Sequence, residues 1–185
     1  MTSSNTGLVL LTCNEVNSGC SPGWLSGEQP KLTRKDAHMS LMKWFESRER
    51  GVVIVSLGYG DLLLESLRQV AREADIHTGV LMTGLGSLTR GRIHWVVTNT
   101  MPPQDRFIEL EGPLEVVGFS GIIAGYEPHI HISLMEADGT CYGGHLEEGC
   151  SILTLSEISI LRTPDLRLTR RIRDGSPFKL LDSEP

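Results

Sequence analysis

Nothing in this 185-residue chain approaches the roughly 20 consecutive apolar residues that a membrane helix requires. The stretch GLVLLTC near the start has neither a basic flank before it nor a small-residue cleavage site after it, so it does not read as a secretory signal. Cysteine is scarce too. The four present (Cys13, Cys20, Cys141, Cys150) are too few and too scattered for a disulfide scaffold, and none forms a closely spaced zinc-knuckle pair. Free thiols in a soluble, cytoplasmic protein with no membrane partner are expected. An excess of positive charge is also missing. Seventeen basic residues against 23 acidic ones leave a net charge of −6, which repels nucleic acid over most of the surface.

The distribution of charge says more than its sum. From Ser40 to Arg162 there are 9 Lys and Arg against 16 Asp and Glu, whereas the last 23 residues carry Arg167, Arg170, Arg171, Arg173 and Lys179 against four acids. Any contact with DNA has to use that C-terminal patch, with Arg167, Arg170, Arg171 and Arg173 as the candidate contacts. The alternative is an arginine-rich strand and tail facing solvent.

What is present divides into three parts. Residues 1–39 are rich in Ser, Thr, Gly and Asn without apolar periodicity, and read as a loosely ordered leader. Residues 40–162 read as one globular domain, and 163–185 as an arginine-rich strand and tail. GVVIVSL, Gly51 to Leu57, predicts a buried strand. Asp61 is placed as the N-cap of an amphipathic helix whose core face is Leu64, Leu67, Val70, Ala71 and Ala74. After Ile76 short β-type runs alternate with Gly, Pro, Asn and Asp. The expected fold is α+β, with one main helix packed on a large, mainly antiparallel sheet.

Three of the six histidines fall in EPHIHISLMEADGTCYGGHLEEG, Glu127 to Gly149. On a strand, His129, His131 and Ser133 leave one face while Ile130, Ile132 and Leu134 leave the other. A three-residue loop at Ala137-Asp138-Gly139, with Gly where positive φ is needed, pairs Glu136 with Thr140 and sets His131 opposite His145. The same register sets Glu147 opposite His129. A two-residue loop at Asp138-Gly139 shifts the pairing by one and throws His145 onto the core face. In the first register three imidazoles converge, and zinc accepts three such nitrogens while leaving a fourth position open. Iron, nickel or manganese fit the same donors. The alternative to a metal is that the three histidines are ordinary polar strand residues. Gly143-Gly144 reads as a strand bulge or as a close approach by a neighbouring backbone.

Other motifs carry less. TGLGSL has the glycines of a phosphate loop, but no lysine follows and no helix begins there. Ser87 and Ser120 have no visible base partner. Glu127, Glu147 and Glu148 flank the histidines, and Glu147 is the preferred general base because of its register.

GDLLLESLRQVAREADIHTGVLMTGLGSL, then PHIHISLMEADGTCYGGHLEEGC and LTLSEI, resemble in order and spacing the plant-and-prokaryote-conserved (PPC) domain family, over about Met42 to Arg162. The resemblance implies a PPC-like α+β domain that assembles as a homotrimer. It also implies a regulatory or DNA-associated role, and a metal site formed by His129, His131 and His145. In plants the domain follows AT-hook segments. Here the nearest equivalent is Arg90 to Arg92 with Ile93 where proline belongs, so it reads as the start of a strand. Glycine and aliphatic residues between Leu114 and Tyr126 suit the protomer contact. Two functions follow. One is an oligomeric, metal-binding regulator associated with DNA or with a protein partner. The other is a zinc-dependent enzyme in which Glu147 moves protons during hydrolysis or hydration of a small molecule.

Overall fold

The computed structural model describes residues 40–184. The predicted leader, with Cys13 and Cys20, lies outside them. Within them the chain runs β1 (Lys43–Ser47), β2 (Val52–Gly58), α1 (Leu63–Glu73), β3 (Thr78–Val96), β4 (Asp105–Ala124), β5 (Glu127–Glu136), β6 (Cys141–Leu146), β7 (Ser151–Arg162), β8 (Leu168–Ile172) and β9 (Lys179–Ser183). One helix on a large antiparallel sheet is what the periodicity predicts. The sheet has seven strands in the order β1-β2-β7-β3-β4-β5-β6, and β8 and β9 form a separate antiparallel pair. No helix among the described residues is long and apolar enough to cross a membrane.

Helix α1 buries Leu63, Leu64, Leu67, Val70 and Ala71 against the sheet, the stripe expected from the three- and four-residue steps. Its start differs from expectation. The N-cap position is Leu62, with no side-chain cap. The buried Asp61 carboxylate instead accepts the backbone N–H groups of Gly58 at 2.9 Å and Leu41 at 3.2 Å. A turn with free donors on both sides competes for the same carboxylate oxygens, and here it wins. The other end is closed from a distance. Arg162 donates to the carbonyl of Ala74 and holds Glu46 at 2.6 Å.

Strands β3 and β4 are long, 19 and 20 residues, where the punctuation suggested shorter pieces. Gly91 and Gly112-Pro113 lie inside strands, not in reversals, and the β3–β4 register slips between Leu88 and Arg90. Glycine and proline in a sheet mark bulges and close approaches as readily as turns. Arg90 and Arg92 accordingly sit in mid-strand, both paired to Glu109. TGLGSL is likewise part of β3, where the Ser87 hydroxyl meets Thr154 at 2.6 Å. The C-terminal segment contains two strands, because Leu180 and Leu181 ladder against Arg171 and Arg170.

One feature of the topology controls the site. Strand β3 pairs with β7 along residues 79–90, then with β6 at Ile93↔Leu146 and His94↔His145. Since β6 also pairs with β5, strands β3, β4, β5 and β6 close into a ring. Gly144 permits this. A Cβ there would lie 2.5 Å from the carbonyl oxygen of His94, which no other residue tolerates. The β5–β6 register runs without a slip, so the close-approach reading of the glycine pair holds at Gly144 and the bulge reading does not.

Candidate metal centre

The β5–β6 hairpin forms with the three-residue loop. Glu136 donates to the Thr140 carbonyl at 2.9 Å, Gly139 takes φ +88°, and His131 pairs with His145. Ile130, Ile132 and Leu134 are buried, while His129 and His131 are exposed on the opposite face. The aliphatic side of β5 pins the strand by burial, and that fixes the side from which the imidazoles leave.

His129, His131 and His145 bring one nitrogen each to within 4.8 Å of one another. The rings of His129 and His131 are stacked, 5.6 Å apart and 6° from parallel, and His145 stands at 84° to both. Nitrogens around a cation at 2.0–2.1 Å lie about 3.4 Å apart in a tetrahedron, so side-chain rotation has at most about 1.4 Å to close. Electrostatics suit a cation as well. Loss of hydration, followed by the neighbouring His129 and His94, holds His145 down at about 4. Loss of hydration, with Arg170 and His131 nearby, also lowers His129. Both imidazoles are therefore neutral, lone-pair donors at neutral pH. Among the described residues no fourth His, Cys, Asp or Glu joins the trio.

Glu147 is not where the sequence register put it. β6 ends at Leu146, and the ladder partner of His129 is Ile122 on β4. Having crossed to β3, the chain turns Glu147 onto His94, with its Oε1 2.7 Å from Nδ1. The sequence pattern does not point to His94. Its ring lies 4.8 Å from that of His145 and 4.7 Å from that of Phe107. Among the described residues its Nε2 has no hydrogen-bond partner. A cleft of about 210 Å³ opens beside the pair, lined by Arg92, Ile93, Phe107, Ile108, Glu109 and Glu147. No local signal identifies His94, because the β3–β6 rung joins residues 51 positions apart with no turn between them to set the register.

Glu127 and Glu148 are both bound by Arg68 from α1, so neither is a free base. Of the C-terminal arginines, Arg167 pairs with Glu184 at 3.2 Å and Arg173 with Asp182 at 3.6 Å. Arg170 is half-buried and donates to the carbonyls of Glu127 at 3.1 Å and Ile122 at 3.0 Å. Arg171 is exposed and makes no such contact among the described residues. The larger cleft, about 630 Å³ between Ser87, Pro113, Met135 and Leu153, contains no histidine.

Comparison with known proteins agrees with the fold. The sequence pattern of the Plants and Prokaryotes Conserved (PCC) domain matches residues 45–164. A crystal structure from Bacteroides thetaiotaomicron, described as a candidate DNA-binding protein, superposes with a TM-score of 0.67 at 17% identity, covering 78% of this chain and 99% of that one. A metal-containing protein from Archaeoglobus fulgidus superposes with a TM-score of 0.61 at 23% identity, covering 77% and 98%. A curated relative, the bifunctional protein GlmU of a Synechococcus species, is 27% identical over 126 residues, 68% of this chain. The chain spans only 19% of that relative's length.

Proposed function

The chain belongs to the Plants and Prokaryotes Conserved domain family, and on that premise we propose that it is an oligomeric metal-binding protein with a regulatory, DNA-associated role. The observation that carries the metal is the convergence of His129, His131 and His145 within 4.8 Å, on two strands whose register the buried isoleucines enforce. The cation is zinc, with another divalent transition metal as the substitute, since three neutral imidazoles are donors of borderline softness. Likeness in fold to a metal-containing archaeal protein supports the reading.

The protomers assemble as a homotrimer through the β4 segment from Leu114 to Tyr126. Val117, 52% exposed, and Ile122 give that stretch an apolar outer surface of the kind an interface covers. Contact with DNA is weak and ionic. The net charge of −6 opposes it, and Arg167, Arg170 and Arg173 are already engaged within the chain, which leaves Arg171 as the main phosphate contact. The fold's likeness to a candidate DNA-binding protein is what favours the role.

A second reading, a metal-dependent hydrolase or hydratase, is favoured by one observation. Glu147 orients His94 beside an incomplete three-nitrogen set, so the histidine is the group positioned to move a proton and Glu147 acts through it. A bound metal supplies Lewis acidity there. Metal analysis of protein purified without chelator, followed by zinc titration at neutral pH, tests both readings. Stoichiometric zinc that is lost in His131→Ala supports them, and no uptake by the wild type removes their common basis.

A further inference from the structure

The three imidazoles supply donor atoms and no negative charge, so a divalent cation among them keeps its full charge. The acids around the cluster are held by other side chains and are not among its donors. Glu127 is bonded to Arg68 at 2.5 Å, Glu148 is bonded to the same guanidinium, and Glu147 is bonded to His94. One further positive charge is built in beside them. Arg170 reaches from β8 across the β4–β5 ladder to the carbonyl of Ile122, whose cross-strand partner is His129, and to the carbonyl of Glu127 two residues before it.

That arginine is unusual among its neighbours. Arg167 and Arg173 on the same hairpin hold carboxylates, whereas Arg170 has no ion pair among the described residues and spends two of its five N–H groups on backbone carbonyls. A half-buried guanidinium that neutral oxygens anchor, next to a cation held by neutral donors, favours an anion more than any other ligand. Both carbonyl contacts hold it in place before the ligand arrives.

We propose that the His129–His131–His145 centre binds a small oxyanion, a phosphate or carboxylate group, with Arg170 as its counter-charge. The proposal rests on the metal reading above. It assigns Arg170 to the centre and not to a DNA-facing surface.

The test uses the full chain loaded with cobalt(II), whose visible absorption reports ligand changes without any assay of activity. Inorganic phosphate is titrated in, and acetate in parallel. The expected result is a saturable change of the cobalt band with either anion. Arg170→Gln weakens phosphate by roughly tenfold or more, and Arg170→Lys, which keeps the charge but loses the planar fork that serves the carbonyls and the anion together, by roughly threefold or more. A cobalt-loaded wild type whose spectrum ignores both anions overturns the proposal and leaves the metal reading standing. Equal phosphate affinity in wild type and Arg170→Gln overturns the role of Arg170. A wild type that takes up no cobalt overturns the metal reading and this inference together. Should loss of the carbonyl contacts unfold Arg170→Gln, Arg170→Lys decides the matter, since phosphate affinity equal to wild type in that variant overturns the role of Arg170.

Discussion

Gly144 lies so close to the backbone of His94 that a single methyl group cannot be inserted, and this contact carries β6 from β5 across to β3. The site depends on it, since the same crossing brings the rings of His94 and His145 to 4.8 Å. Gly144→Ala is therefore expected to cost about 1–3 kcal/mol in urea unfolding. Gly143→Ala, where a Cβ meets nothing closer than 3.6 Å, is expected to cost well under that. Equal effects would mean the strand seam is looser than described.

His131→Ala removes one of the three proposed ligands and is expected to abolish zinc retention through gel filtration. Glu147→Gln, whose partner His94 lies outside the three proposed ligands, is expected to retain the metal at close to wild-type content. Metal content by elemental analysis of the two variants makes the comparison.

The pH dependence has a definite sign. His145 titrates at about 4 in the fold against about 6.5 unfolded, so between those values the unfolded chain binds the extra proton. Stability of the metal-free protein is then present above pH 6.5 and falls as pH drops towards 4. The urea midpoint in EDTA is expected to be lower at pH 5 than at pH 7, with a smaller difference in His145→Gln. A midpoint difference that His145→Gln leaves unchanged would place the acid sensitivity elsewhere.

Burial pushes the Cys150 thiol up to about 11, and the side chain is fully covered. Cys141 is exposed on β6. Iodoacetamide at neutral pH is expected to label Cys141 and to spare Cys150 until the protein is denatured, as read by peptide mass spectrometry. Rapid native labelling of Cys150 would contradict its packing.

The proposed self-association through β4 makes Val117 a sensitive position. Val117→Lys is expected to convert a trimer, measured by light scattering at micromolar concentration, into monomer while leaving the far-ultraviolet circular dichroism unchanged. A wild type that is monomeric from the outset would rule out the trimer.

Much of this was legible from local pattern. The apolar steps of α1 determine which face is buried, because a helix repeats every 3.6 residues whatever it packs against. The alternation in HIHISL determines which residues of β5 are core, and Gly139, supplying positive φ, selects the loop that sets His131 against His145. These are interactions between residues close in sequence, so their geometry follows from the backbone and the turn.

What lay beyond the pattern depends on partners far away. Asp61 has the composition of an N-cap, but the amides of Gly58 and Leu41 claim its carboxylate once β1 and β2 are in place. Glu147 continues the hairpin register on paper, and pairing of β6 with β3 takes it to His94. Arg170 reads as one basic residue among several until β8 lies against β4 and its guanidinium meets the carbonyls of Ile122 and Glu127. In each case two or more partners compete for one polar group, and only the folded chain determines which is within reach.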